Sequence, residues 1–164
     1  MTIDSYKKLI ENRNLHPLHI ILTSCLGELA NLRLLNQGTT NIIGSYIGKK
    51  VGQCILDLGY EVPKDDKKLI KFLIEFCQIC DDVIIKIEDN TITIGIKIDK
   101  CKYCPKQLGD AEIPGSACPI PSLIASLLGK FKNRPYKMKF WNGTNQLIKK
   151  ENGYCWFVIE YCRY

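Results

Sequence analysis

Three thiols fall within eighteen residues in the runs Lys100-Cys101-Lys102-Tyr103-Cys104-Pro105 and Gly115-Ser116-Ala117-Cys118-Pro119. Two cysteines separated by two residues can turn toward one ion, because a tight turn brings their sulfurs to the separation that tetrahedral zinc requires. Such a pair is half a site, and Cys118 and Cys155 are the candidates to complete it. A second pair, Cys77 and Cys80, stands at a distance from Cys101 that fits a zinc ribbon, in which two knuckles share one ion. That pair continues an apolar helical pattern and reads as buried small hydrophobes, which leaves the ribbon pairing as the runner-up. A four-thiolate zinc centre carries a net double negative charge, and Lys100, Lys102 and Lys106 lie beside the first pair to offset it.

Nine cysteines is an odd number, and in a reducing compartment it points to metal binding and buried thiols in place of a disulfide framework. No apolar run approaches the length of a membrane span and no signal-peptide pattern opens the chain, so the expectation is a cytoplasmic protein. At 164 residues and 46% hydrophobic content, one domain over residues 1–164 can bury a core of its own. The net charge of +6 is uneven: residues 97–150 hold eleven Lys or Arg against three acids.

The elements that must position the thiols follow from periodicity. After Pro17, the residues Leu18, Ile21, Leu22, Cys25, Leu29 and Leu32 form one face of an amphipathic helix, with His16 and His19 at its start in surface or capping roles. A helix capped by Thr39 or Thr40 runs to about Gly59 with Gly44, Gly48 and Gly52 on one face. Glycine costs about 1 kcal/mol relative to alanine inside a helix, so something must approach that backbone closely: a neighbouring helix or a flat apolar ligand. A third helix opens at Asp65-Asp66, and the apolar run 69–80, with Phe72 and Phe76, reads as a core helix.

Alternation at Val83, Ile85 and Ile87, then at Ile92, Ile94, Ile96 and Ile98, predicts a hairpin turning at Asp89-Asn90. A short helix follows from Pro119 to Leu128, stopped by Gly129. The tail predicts three more strands through Tyr136, Met138 and Phe140, through Leu147-Ile148, and through Cys155, Phe157 and Ile159, with turns at Asn142-Gly143 and Asn152-Gly153. The expected fold is α+β: N-terminal helices to about residue 80, packed on an antiparallel sheet of about five strands, with a short helix after the zinc loop.

Ser45-Tyr46-Ile47-Gly48-Lys49-Lys50-Val51-Gly52, Cys118 before a short helix, and Gly153-Tyr154-Cys155-Trp156-Phe157 in a closing strand occur in an order that resembles the 4-vinyl reductase, or hydrocarbon-binding, domain family over roughly residues 38–162. That family is similar in fold to transport-particle subunits and haem nitric-oxide-binding domains. In its phenol-sensing members the resemblance implies a zinc whose outer ligands match Cys118 and Cys155. Thr144 and Leu147 stand near the inner two positions and cannot ligate, and Cys101 and Cys104 can replace them as a closed structural site. The resemblance further implies a homodimer and an apolar pocket, here walled by Gly44, Gly48, Gly52, Phe72, Phe76, Met138 and Phe140.

Three functions compete. A small apolar-ligand module needs no catalytic signature, and with no effector domain attached it would act through a separate protein partner. A nucleic-acid or adaptor role, the alternative to the favoured ligand module, would use the basic and aromatic run 130–141, but that alternation is better read as a half-buried strand with its lysines in water, so nucleic acid is not the expected partner. An enzyme is the weakest reading, because neither a dinucleotide loop nor a catalytic triad or carboxylate pair can be assembled.

Overall fold

The computed structural model describes residues 3–105, 108 and 117–162. Five helices, α1 (Ile3–Arg13), α2 (Pro17–Asn31), α3 (Gln37–Asp57), α4 (Asp66–Phe76) and α5 (Ile120–Lys132), accompany β1 (Val83–Glu88), β2 (Thr91–Lys97), β3 (Tyr136–Lys139), β4 (Ile148–Glu151) and β5 (Tyr154–Tyr161). The fold is α+β, with four helices preceding the sheet.

All strand pairings are antiparallel. β2 lies between β1 and β5, and the opposite edge of β5 is shared by β3 and β4. Asp89 takes a positive φ of 46° in the β1–β2 turn, and Asn152 (51°) with Gly153 (78°) forms the two-residue turn from β4 to β5, as turns matching strand twist require. One sheet face is apolar because the registers align Ile92 with Ile159, Ile94 with Phe157 and Ile96 with Cys155. Against this face pack Leu69, Ile70, Leu73 and Ile74 of α4 and Ile124, Leu127 and Leu128 of α5, all within the main core.

α3 packs along α5. A Cβ on Gly44 would lie 2.2 Å from Ser122 Oγ and 2.3 Å from the Pro119 carbonyl, and one on Gly48 would lie 2.7 Å from the Leu123 carbonyl. Small residues thus recur every four positions on both helices, and Ser126 Oγ donates to the Ser45 carbonyl at 2.9 Å. The glycine face admits a helix and leaves no space for a flat ligand.

Several boundaries differ from expectation. α4 ends at Phe76, and Gln78 takes a φ of 49°, so Cys77–Cys80 leave the helix. α5 continues through Gly129, where an added Cβ would meet nothing nearer than 3.4 Å, and stops at left-handed Asn133. Asn36, not a threonine, caps α3, in a reciprocal box with Thr39. α2 turns the predicted apolar face outward: Leu18, Ile21, Leu22 and Leu32 are exposed, and His19, Thr23 and Gly27 are buried. Small and polar residues let α2 approach the body closely, where Leu26, Leu29 and Ala30 pack around Leu35 and Ala117.

Candidate metal centre

Residues 101–105 leave the sheet through a short 3-10 turn (Ile98–Lys100) and fold over its end. Lys102 N–H donates to the Ile79 carbonyl at 2.9 Å, and Tyr103 Oη donates to the Cys77 carbonyl at 2.8 Å. This holds Cys101 and Cys104 against the start of α5, where Cys118 precedes the first turn. Cys155 comes from β5, opposite Ile96 on one side and Lys150 on the other. All four thiols line one cavity of about 290 Å3, together with Arg13, Lys150 and apolar side chains including Ile96, Ile120, Ile148 and Phe157.

Burial pushes the Cys101 thiol well above its ordinary value, with Cys118 and then Cys104 adding to the shift. Burial likewise raises Cys118, up to about 12, with further contributions from Cys104 and Cys155 and an opposing one from Lys150. These mutual effects place the four sulfurs within electrostatic reach of one another. As placed, no three His, Cys, Asp or Glu side chains among the described residues form a group that could hold a metal ion, so the thiols ring the cavity wall and are not drawn together.

The second cysteine pair sits elsewhere. The Cys80 thiol is buried and donates to the Asp82 carbonyl at 3.1 Å, and burial raises Cys77 to about 11. Both behave as small core residues, and neither lines the cavity.

The charges expected beside the thiols are also redistributed. Lys100 Nζ donates to Asn12 on α1, at 2.8 Å to its carbonyl and 2.6 Å to Oδ1, and buried Lys102 pairs with Asp81 at 3.1 Å. Lys106 lies outside the described residues. The cations that reach the cavity are Arg13 and Lys150. Arg13 is 3% exposed and donates from Nη1 to the Cys104 carbonyl at 3.2 Å, while its Nε is buried without a hydrogen-bond partner. Burying an incompletely satisfied guanidinium is costly unless an anion lies near it. Lys150 was legible in the sequence, since a two-residue Asn152-Gly153 turn pairs 150 with 155 on one face. Arg13 carries no local signal: it reaches the site only because α1 packs beside the 3-10 turn.

His19 sits at the outer edge of this region. It is buried, its Nδ1 accepts from His16 N–H at 2.9 Å, and its ring meets Tyr103 edge-on at 5.6 Å. Burial lowers its pKa, with Lys102 and His16 adding and Asp81 opposing. Below about pH 6.5 the unfolded chain takes up a proton here that the folded chain resists, so stability falls as the pH drops. In urea titrations between pH 7.5 and 5.5, His19→Gln is expected to lose less stability than the parent protein. Equal losses would show that this imidazole does not govern the slope.

The remaining residues assigned to an apolar pocket do not share one cavity. Gly44, Gly48 and Gly52 are covered by α5. Phe72 and Phe76 form an aromatic cluster, with Tyr60 and Phe76 edge-on at 5.2 Å. Met138 and Phe140 line an open groove beside α3.

Residues 33–161 match the family model of the MJ0207 family. The chain belongs to the MJ0207 family. Among its relatives, the uncharacterised protein MJ1342 of Methanocaldococcus jannaschii is 55% identical over 113 residues, covering 69% of this chain and 95% of the relative. The uncharacterised protein MJ0207 of the same organism is 32% identical over 130 residues, covering 76% and 83%. Membership of the MJ0207 family overturns the resemblance to 4-vinyl reductase domains, to which none of these matches points. The glycine spacing that carried it is what any closely packed helix pair generates. The match to the MJ0207 family includes all four cavity cysteines and Lys150, and begins beyond α1 and α2, which bring Arg13 and His19.

Proposed function

We propose that the domain is a non-catalytic binding module clasped by a structural zinc on Cys101, Cys104, Cys118 and Cys155. The observation that carries this reading is the cavity's composition: among the described residues it has four thiols from three separate parts of the chain, two cations, and no carboxylate. Zinc would replace the thiol protons and draw the sulfurs inward from the wall. The resulting double negative charge would meet Arg13 and Lys150, giving the buried guanidinium the anion it lacks among the described residues. Four sulfur ligands leave no position open for water, so the ion acts as a staple and not as a Lewis acid. A reducing, cytoplasmic setting suits this use of thiols.

The rest of the cavity is apolar, and its volume stands near the lower end of small-molecule sites, roughly 300 Å3. A small apolar molecule beside the clasp is therefore the second occupant of this reading. A second copy of the chain is the proposed partner for the outer face of α2, where Leu18, Ile21 and Leu22 stand 47–61% exposed. No described helix is long and apolar enough to cross a membrane.

Native mass spectrometry reads all three features at once. The expected spectrum is a dimer with one zinc per chain, and with any carried apolar molecule as added mass. A metal-free protein would remove the clasp, and a metal-loaded monomer would remove the dimer alone.

A further inference from the structure

An open groove of about 1160 Å3 runs between α3 and the segment from the end of α5 into β3. Among the described residues its lining includes Lys49, Lys50, Lys130, Arg134 and Lys137 and contains no Asp or Glu. The sequence gives no hint of this convergence, because Lys49 and Lys50 come from a helix some eighty residues before the basic tail run. Only the packing of α3 on α5 brings them to one side.

Part of the charge is already answered. Arg134 approaches Asp66 at 3.5 Å, Lys137 pairs with Glu160 at 3.1 Å, and Lys130 donates to Gln53 at 3.0 Å. Strand β3 thus behaves as the alternating half-buried strand its sequence suggests, and alone makes a poor phosphate binder. Lys49 and Lys50 differ: both are exposed, and neither pairs with a carboxylate among the described residues. Lys50 lies 5.6 Å from the centre of the Tyr46 ring. That ring is 62% exposed, and Phe140 on the opposite wall is 51% exposed.

We propose that this groove binds single-stranded nucleic acid, with Lys49 and Lys50 on phosphates and with Tyr46 and Phe140 as stacking surfaces for bases. Cations without interspersed carboxylates attract a polyanion. Exposed aromatic faces beside them add what an unpaired base uses and what a duplex, whose base faces are stacked, cannot use. An acidic polypeptide would find the cations but would have no need of two flat rings. This inference is separate from the zinc clasp, since the groove and the thiol cavity share no lining residue.

Fluorescence anisotropy with a labelled uridine-rich 12-mer RNA tests the proposal on the zinc-loaded, full-length chain. Unlabelled RNA duplex and polyglutamate serve as competitors. Binding should weaken steeply with salt, with a log–log slope of about −0.7 for each phosphate neutralised. The Lys49→Glu/Lys50→Glu variant should flatten that slope and bind at least about tenfold more weakly. Tyr46→Ala should lose at least about fivefold, the low end for one stacked base, with the slope unchanged. Both variants alter exposed residues and should keep the parent melting temperature. Absence of binding at low salt, equal binding by the Lys49→Glu/Lys50→Glu variant, or displacement as effective by duplex or polyglutamate as by the single strand would overturn it.

Discussion

Cys118→Ser is expected to abolish zinc binding and to lower the unfolding free energy by on the order of 4 kcal/mol, a fall in Tm of roughly 8–16 °C for a chain of this size. The size follows from what the cysteine joins. Cys118 precedes α5, the helix on which α3 packs, and it faces Cys155 on the central strand β5 and the loop that carries Cys101 and Cys104. A four-sulfur clasp would tie these parts together, and metal binding to such sites contributes directly to folding free energy. A metal-free cavity would register only the exchange of a thiol for a hydroxyl, about 1–3 kcal/mol where the hydroxyl finds no partner, and that loss would not respond to chelator. Treating the parent protein with a strong chelator should reproduce most of the Cys118→Ser shift, and should change the variant little. By contrast, Cys77→Ser and Cys80→Ser should retain full zinc, since neither thiol lines the cavity and Cys80 donates to the Asp82 carbonyl. Calorimetry with and without chelator distinguishes the two cases.

The second large effect is expected at the α3–α5 contact, where the sign changes along one helix face. Gly44→Ala places a methyl group 2.2 Å from Ser122 Oγ and 2.3 Å from the Pro119 carbonyl. Rotating the serine relieves only the first clash, so the helices must separate, at a cost of about 3 kcal/mol or more. Gly48→Ala meets the Leu123 carbonyl at 2.7 Å and should also destabilise strongly. Gly52→Ala meets the flexible Lys130 side chain at 3.2 Å and Leu127 Cδ2 at an ordinary 3.4 Å, and should be neutral or stabilising by about 0.5–1 kcal/mol through helix propensity. Urea denaturation of the three variants gives the ranking directly. Equal small effects at all three positions would mean that α3 and α5 are not in backbone contact.

These two sites also show how much the residues disclosed in advance. The Cys101–Cys104 pair stood out by its spacing, and Cys118 and Cys155 were joined to it partly through the resemblance that the family match overturns; all four line one cavity, but as placed no three of them form a metal-holding group. The glycine face was equally legible as a close contact, but spacing alone could not say what fills it. The choice of α5 over a ligand depends on Ser122 and Ser126 lying across from it, a tertiary fact. Arg13 was invisible for the same reason. The outward face of α2 shows the limit of periodicity, which locates an apolar stripe without saying whether this chain or another covers it. Gly129 failed as a stop signal since a glycine ends a helix only where the backbone turns left-handed, and here that turn falls at Asn133.

X-ray absorption at the zinc edge of the purified protein examines the clasp itself. Four sulfur neighbours at about 2.3 Å are expected, with no lighter atom in the inner shell, and Cys155→Ser should replace or lose one of them. A shell dominated by nitrogen or oxygen, or a protein that takes up no zinc at all, would contradict the account.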